Sequence, residues 1–381
     1  MVACFKNSRH YKENTQSMFA LEKIIVIPKR IRMKKVCCIV FAIIGLYSCK
    51  TEEPSKLSEV FKLEKKLVGT ALNFEKTFGN PNQVILVDSL LLLKDRDSEY
   101  LISILDPKGE RFLGRLCKIG KGPEEFNLPV EISVNNINQT LSIYERSIQR
   151  LSHLDISSKE INNIHIQKRI SFANDLGYTG FVRKLSDSLY IGVGRFSKRY
   201  ALFDKNGELL KTTQDYPSYD GINISDELSY IAYQNILEVN TSNRRVAAAS
   251  IYCDNIEFFK LEEENLILTK RYGFLKPDFV DESNNSHRVL HPSDTNIMGF
   301  LDIKSDENFV YCLYSGRSIK GFETMARARK GEDIFVFDWK GNPITRYSLN
   351  KEIIAFAVDS EKRIFYGISH TPEPVIIKFE F

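Results

Sequence analysis

The sequence predicts an all-β protein, a six-bladed β-propeller of four-stranded antiparallel blades closed into a ring by an N-terminal strand, on three observations. Six short hydrophobic runs end in or beside an acidic or other polar residue and then turn, at 104–106, 153–155, 202–204, 258–260, 336–338 and 377–379. The first three markers, Asp106, Asp155 and Asp204, are evenly spaced, at a step of about 40–50 residues, the blade repeat of a propeller. Three of the turns also repeat in composition: Asp-Pro-Lys-Gly at 106–109, Asp-Lys-Asn-Gly at 204–207 and Asp-Trp-Lys-Gly at 338–341. In each, Asp opens the turn and Gly is expected to supply the positive φ, so each reads as the hairpin between a blade's two outer strands.

From the N-terminus, residues 1–32 match no repeat and are expected to be an upstream extension outside the fold. Met33, Lys34 and Lys35 begin a second pattern, with two cations, an apolar run over 36–46, and Leu-Tyr-Ser-Cys at 46–49. The run is too short to cross a bilayer as a mature helix. This pattern resembles a bacterial lipoprotein signal peptide over 33–48, which implies cleavage before Cys49 and a lipid on Cys49. Tyr47 stands where that motif more often has a small or hydroxylated residue. Residues 49–56 form a polar tether, and its Lys50, Glu52 and Glu53 look like the surface-export signals of Bacteroidetes lipoproteins.

The formal charge of +4 is an effect of the removable end. Residues 1–32 carry seven Lys and Arg against two Glu, and Lys34 and Lys35 leave with the signal, so what remains is mildly acidic. Net charge therefore gives no nucleic-acid footprint. Once Cys4, Cys37, Cys38 and Cys49 are set aside, Cys117, Cys253 and Cys312 remain. They are scattered and form no disulfide framework, and they read as small packing residues.

Residues 57–381 are expected to be the propeller. Blade one runs over about 82–117, two over 131–168, three over 180–213 and four over 235–271. Blade five spans 298–348 and carries an insertion over 316–333; blade six shows only three strands, over 353–358, 363–368 and 375–381. The alternating segment 60–67 can supply its fourth strand, which would remove a free sheet edge.

Gly120, Gly122, Pro123, Glu125, Phe126 and Pro129 form a constrained loop between blades one and two. With this loop the chain resembles NHL-type propeller repeats, and more closely the TolB-like six-bladed propeller lipoproteins of Bacteroidetes. That resemblance implies the fold and an envelope setting, and no reaction. Two glycines and two prolines restrict the loop backbone, and Phe126 can anchor it over the seam as a structural clasp; the other reading is a ligand contact through Glu124 and Glu125. A phosphate cradle is excluded, because no helix follows and Lys121 lies between the glycines.

The common catalytic signatures are missing: there is no Gly-x-Ser-x-Gly, His-Glu-x-x-His, Cys-x-x-Cys or calcium-loop pattern. His287 and His291 are close only within a polar loop. No cofactor or metal is expected. The loops between second and third strands, and those between blades, should open on one face around the axis. That face is the candidate site, with Lys94, Arg96, Glu145, Arg146, Arg195, Asp254, Arg317 and His370 and, nearby, Asp95 and Asp97. The insertion adds Lys320, Phe322, Met325, Arg327, Arg329 and Lys330, and the long connections add Tyr216, Tyr219, Tyr272, Phe274 and Phe279. Arginine beside aromatic rings suits an anionic, glycan or peptide ligand, and the expected partner is a glycan, a peptide or an envelope protein. The expected function is a lipid-anchored binding platform without catalysis. The alternative is a metal-dependent hydrolase or lyase with a cation at the channel mouth, using Glu145, Asp254 and Asp95.

Overall fold

The computed structural model describes residues 57–95, 99–135, 140–156, 165–175, 177–217, 226–284 and 289–381. The extension, signal and tether, with Cys49, lie outside them, as do Arg96, Asp97, Tyr219, His287 and the side chain of Phe322.

Six antiparallel sheets follow one another along the chain. Blade one is Pro81–Val87, Leu90–Asp95, Tyr100–Asp106 and Arg111–Lys118. Blade two is Val130–Asn135, Thr140–Glu145, Arg150–Asp155 and Ile166–Ser171. Blade three is Tyr178–Lys184, Leu189–Arg195, Tyr200–Asp204 and Leu209–Thr213. Blade four is Asn235–Asn240, Arg245–Ser250, Ile256–Glu262 and Asn265–Tyr272. Blade five is Ile297–Ser305, Phe309–Ser318, Gly331–Asp338 and Pro343–Ile353. Blade six is Ala355–Asp359, Ile364–Ser369 and Val375–Glu380, completed by Gly69–Ala71.

The six sequence markers fall at or near the ends of the six third strands, which is why they repeat. Those strands lie between neighbours within the blade and between blades, so they are apolar on both faces; Leu101, Ile102, Ile104 and Leu105 are all buried. Outer strands such as Arg111–Lys118 alternate between exposed and half-buried positions. The apolar clusters tile the seams between blades: Ile104, Leu116, Ile132 and Leu154 between one and two, Phe258, Phe300 and Phe337 between four and five, Leu313, Phe356 and Phe365 between five and six. One polar side chain also bridges a seam. Gln83 donates from Nε2 to the Ile132 carbonyl at 2.6 Å and accepts from the Ile132 amide at 3.1 Å, so it acts as a strand edge between the inner strands of blades one and two.

Ring closure uses the N-terminus, with a shift from the expected segment. Gly69–Ala71 pairs antiparallel with the third strand of blade six. Most of the anticipated segment instead forms Glu64–Leu67, which lies parallel to Pro343–Ile353 as a fifth strand outside blade five. Packing explains the difference. Phe61 stacks on Phe335 with ring centroids 4.9 Å apart and Leu67 is buried in the same blade, while Gly69 meets Ile377 and Phe379 with no space for a Cβ.

The repeated turns share one device. The carboxylates of Asp106, Asp204 and Asp338 accept from backbone amides two residues on, at 3.0, 2.8 and 2.8 Å. Gly207 and Gly341 adopt positive φ as expected, +91° and +83°, but Gly109 does not. In that turn Pro107 occupies the second position, the loop is one residue longer, and Glu110 takes the left-handed conformation at +52°.

Cys253 and Cys312 are buried and Cys117 is half-buried, all as free thiols. Burial pushes the thiols of Cys117 and Cys253 up to about 12, as expected of packing residues. The long connections carry a helix, Asp226–Ala232, and a small hairpin, Phe279–Asp281 with Leu290–Pro292; a second helix, Gly321–Ala328, fills the insertion of blade five.

Candidate functional site: the axial mouth

Inner strands line the axis, and a cavity of about 250 Å³ opens at the end where they begin. Every blade contributes to its wall. Gln83 and Lys94 come from blade one, Glu131 and Arg146 from two, Phe181 and Val193 from three, Asn235 and Ile236 from four, Asp302 from five and Ala355 from six; Tyr230 of the first helix leans over it.

The charges at the mouth are layered. Glu131, at the second position of its inner strand, accepts from Arg146 at 2.9 Å and sits 3.5 Å from the Arg183 guanidinium. Burial works to raise its carboxyl, but the surrounding Lys94, Arg183 and Arg146 prevail and hold it below the usual carboxylate range. Asp302 takes the Lys304 ammonium at 2.5 Å and the Phe356 amide at 3.0 Å. Deeper in, burial lifts the Glu238 carboxyl above its ordinary range, and Ser305 donates to it at 3.0 Å. Lys94 donates to the Val130 carbonyl at 3.0 Å, and burial pushes its ammonium pKa below that of an ordinary lysine. Three buried polar atoms here have no partner among the described residues: Nε of Arg146, Nε of Arg183 and Oδ1 of Asn235.

Of the residues expected on this face, the structure brings Lys94 and Arg146 together at the mouth. Arg96 lies outside the described residues, and the others are held elsewhere. Glu145 is fully buried, receiving Arg150 at 2.8 Å and the Asn127 amide at 2.9 Å. Arg195 lies 5.8 Å over the Tyr178 ring. Asp254 accepts from the Phe274 amide at 3.3 Å. Arg317 joins Glu352 at 2.6 Å and Glu332 at 3.2 Å, and His370 donates to the Pro81 carbonyl at 2.7 Å, linking blade six to blade one. Asp95 accepts from the amides of Gly79 and Asn80, fixing the chain as it enters blade one. Among the described residues no three His, Cys, Asp or Glu side chains gather as metal ligands would.

On the insertion, Lys330 donates to Thr371 at 2.7 Å and Met325 packs against the cluster of Met298, Ile319 and Ala328. Of the connection aromatics, Tyr272 is core, 5.6 Å from the Phe337 ring; Tyr216 packs on Tyr233 and Phe279 on Tyr252, and Phe274 is exposed. His291 pairs with Glu282 at 3.2 Å on the small hairpin.

The loop at 120–126 acts as a clasp in this geometry. Glu125 folds back to accept from the Gly122 amide at 2.9 Å, its carboxylate occupies the space a Cβ on Gly120 would need, and Phe126 is 2 % exposed in the seam. Arg169 of blade two donates to the Pro123 carbonyl across the same seam.

With the fold and mouth described, the class is defined. Residues 61–361 match the TolB-like 6-blade propeller-like family, and the chain belongs to it. Two crystal structures are similar. One is a protein of Bacteroides fragilis thought to be exported, 12% identical, TM-score 0.51, covering 83% of this chain and 98% of that one. The other is a member of the DUF4221 family from Bacteroides vulgatus, 14% identical, TM-score 0.54, covering 83% and 96%. No curated protein matches.

Proposed function

We propose that this chain is a non-catalytic binding propeller, lipid-anchored in the cell envelope through Cys49, whose ligand sits in the axial mouth. One observation carries the reading: six blades converge on a cavity whose wall holds buried polar atoms that have no partner among the described residues. Buried donors and acceptors are almost always paired, so such atoms mark a place where something else completes them. Rigid strands, rather than mobile loops, hold Lys94, Glu131 and Asn235 in place, which suits recognition. The anchor rests on the signal-like pattern over 33–49, and the exported relative supports an envelope setting. Lys94 and Arg146 at the mouth oppose a bound divalent cation there.

The test is a thermal-shift panel of glycans, peptides and small acids on the wild type and on Asn82→Trp, a substitution at an exposed position of the cavity wall. Stabilisation of the wild type that the variant loses supports the reading. Ligands that stabilise both equally contradict it, and a melting temperature lowered by EDTA would favour a metal enzyme. Mass spectrometry of the membrane-extracted protein, with Cys49→Ala as control, tests the anchor.

A further inference from the structure

We propose that the ligand of the axial mouth is a small hydroxy-carboxylate, with its carboxylate on Lys94 and Arg146 and a hydroxyl donated to Asn235. This rests on the binding reading above and specifies its chemistry.

The charge balance points to an anion. Glu131 is neutralised by Arg146 and Arg183, and Asp302 by Lys304 and a backbone amide. Among the described residues Lys94 has no carboxylate within ion-pair distance; its hydrogen bond goes to a carbonyl. Glu131 and Asp302 act on this half-buried ammonium from beyond ion-pair distance, and the cations Lys94, Arg146, Arg183 and Lys304 outnumber those two carboxylates, so an anion beside Lys94 would lower the cost of its desolvation. The orphaned Nε–H of Arg146 offers a second donor, and a planar carboxylate suits a guanidinium edge with an ammonium beside it.

The rest of the wall asks for a hydroxyl. Asn235 is 5% exposed, its Nδ2 donates to the Tyr233 carbonyl at 3.3 Å, and its Oδ1 lacks a donor. An ammonium on the ligand would need an unpaired carboxylate, and those at the mouth are already paired. A hydroxyl needs only the acceptor. At about 250 Å³ the cavity lies below the roughly 300–1,000 Å³ of sites for drug-sized ligands, which suits a molecule of monosaccharide size. Val193, Ile236 and Leu301 give the wall apolar contact for the carbon frame.

The test is titration calorimetry on the purified full chain with glucuronate, galacturonate, gluconate and lactate, each beside its uncharged counterpart: glucose, galactose, sorbitol and propane-1,2-diol. At least one acid should bind with its neutral counterpart about tenfold weaker or worse, and Lys94→Met should cost the acid about tenfold or more. Affinity should also fall as pH rises and Lys94 loses its proton, a dependence that Lys94→Met removes. If Lys94→Met binds the acid as the wild type does, or neutral counterparts bind as well as the acids, the proposal is overturned while the binding reading stands. If none of the acids binds but other compounds bind in a way that Asn82→Trp abolishes, the result is the same. If nothing in the wider panel distinguishes wild type from Asn82→Trp, the binding reading falls, and this proposal with it.

Discussion

Gly69 lies opposite Phe379 in the antiparallel ladder that joins the N-terminal end of the described chain to its C-terminal end. A Cβ on Gly69 would run into the side chains of Ile377 and Phe379. Closure therefore depends on a residue with no side chain, backed by the last buried ring of the chain.

Gly69→Leu should force that strand off blade six. Overpacking a tight contact costs about 1–3 kcal/mol, and the expected result is a lower urea midpoint with a single transition, because the ring closes as one unit. Removal of residues 57–71 should lower it further. A variant as stable as the wild type would show that the strand does not close the ring.

The seam between blades three and four depends on a buried carboxylate. Glu257 is 1% exposed at its side chain and receives Arg199 and, at 2.5 Å, Arg271; Arg199 also donates to the Tyr200 hydroxyl. Glu257→Leu leaves Arg199 buried without a counter-charge, and should cost about 3–5 kcal/mol. Adding Arg199→Met should restore part of that loss, since the cost lies in the stranded charge and not in the absent bond. Denaturant titration of the two single variants and the double variant measures the difference.

His153 should make blade two sensitive to acid. Burial, assisted by Lys168 and Lys184, pushes it down to about 4, and its ring nitrogens bond the Ser142 hydroxyl at 2.9 Å and the Tyr190 hydroxyl at 3.1 Å. A depressed pKa means that the unfolded chain takes the proton first. The stabilisation is intact above the ordinary histidine value of about 6.5 and is lost as pH falls through about 4. Relative to the wild type, His153→Gln should therefore be less stable at neutral pH and gain ground on acidification. A constant difference across that range would refute the assignment.

The clasp can be tested without disturbing the blades. Gly120→Ala should expel the Glu125 carboxylate from its place over the loop, so that the Gly122 amide loses its acceptor. The expected loss is about 0.5–1.5 kcal/mol, with faster proteolytic nicking between 118 and 129 and unchanged circular dichroism.

The blades were legible in the sequence because third strands are buried on both faces and, in blades one, three and five, end in Asp-led turns, a pattern that survives divergence between blades. The closing strand was less so. Its hydrophobic alternation marks 60–67 as a strand, but only three-dimensional packing of Phe61 on Phe335 assigns that segment to blade five. Lys94 and Arg146 could be placed at the mouth by topology alone. Glu131, Arg183, Asn235 and Asp302 were missed because each sits within an inner strand, where a lone polar residue reads as ordinary alternation. The usable signal was a charged residue on the first strand of several blades, as in Glu131-Ile132, Val182-Arg183 and Leu301-Asp302. Conversely, Glu145 looked like a rim residue, and only its pairing with Arg150 across the hairpin shows it to be buried.

The most direct measurement for the axial site is hydrogen–deuterium exchange with and without the best ligand from the thermal-shift panel. The account predicts slowed exchange where the inner strands line the mouth, near 82–83, 131, 235–236, 302 and 354–355, together with 94 and 146. Protection confined to the helix Gly321–Ala328 or to outer strands such as Asn265–Tyr272, with the axis unchanged, would contradict it.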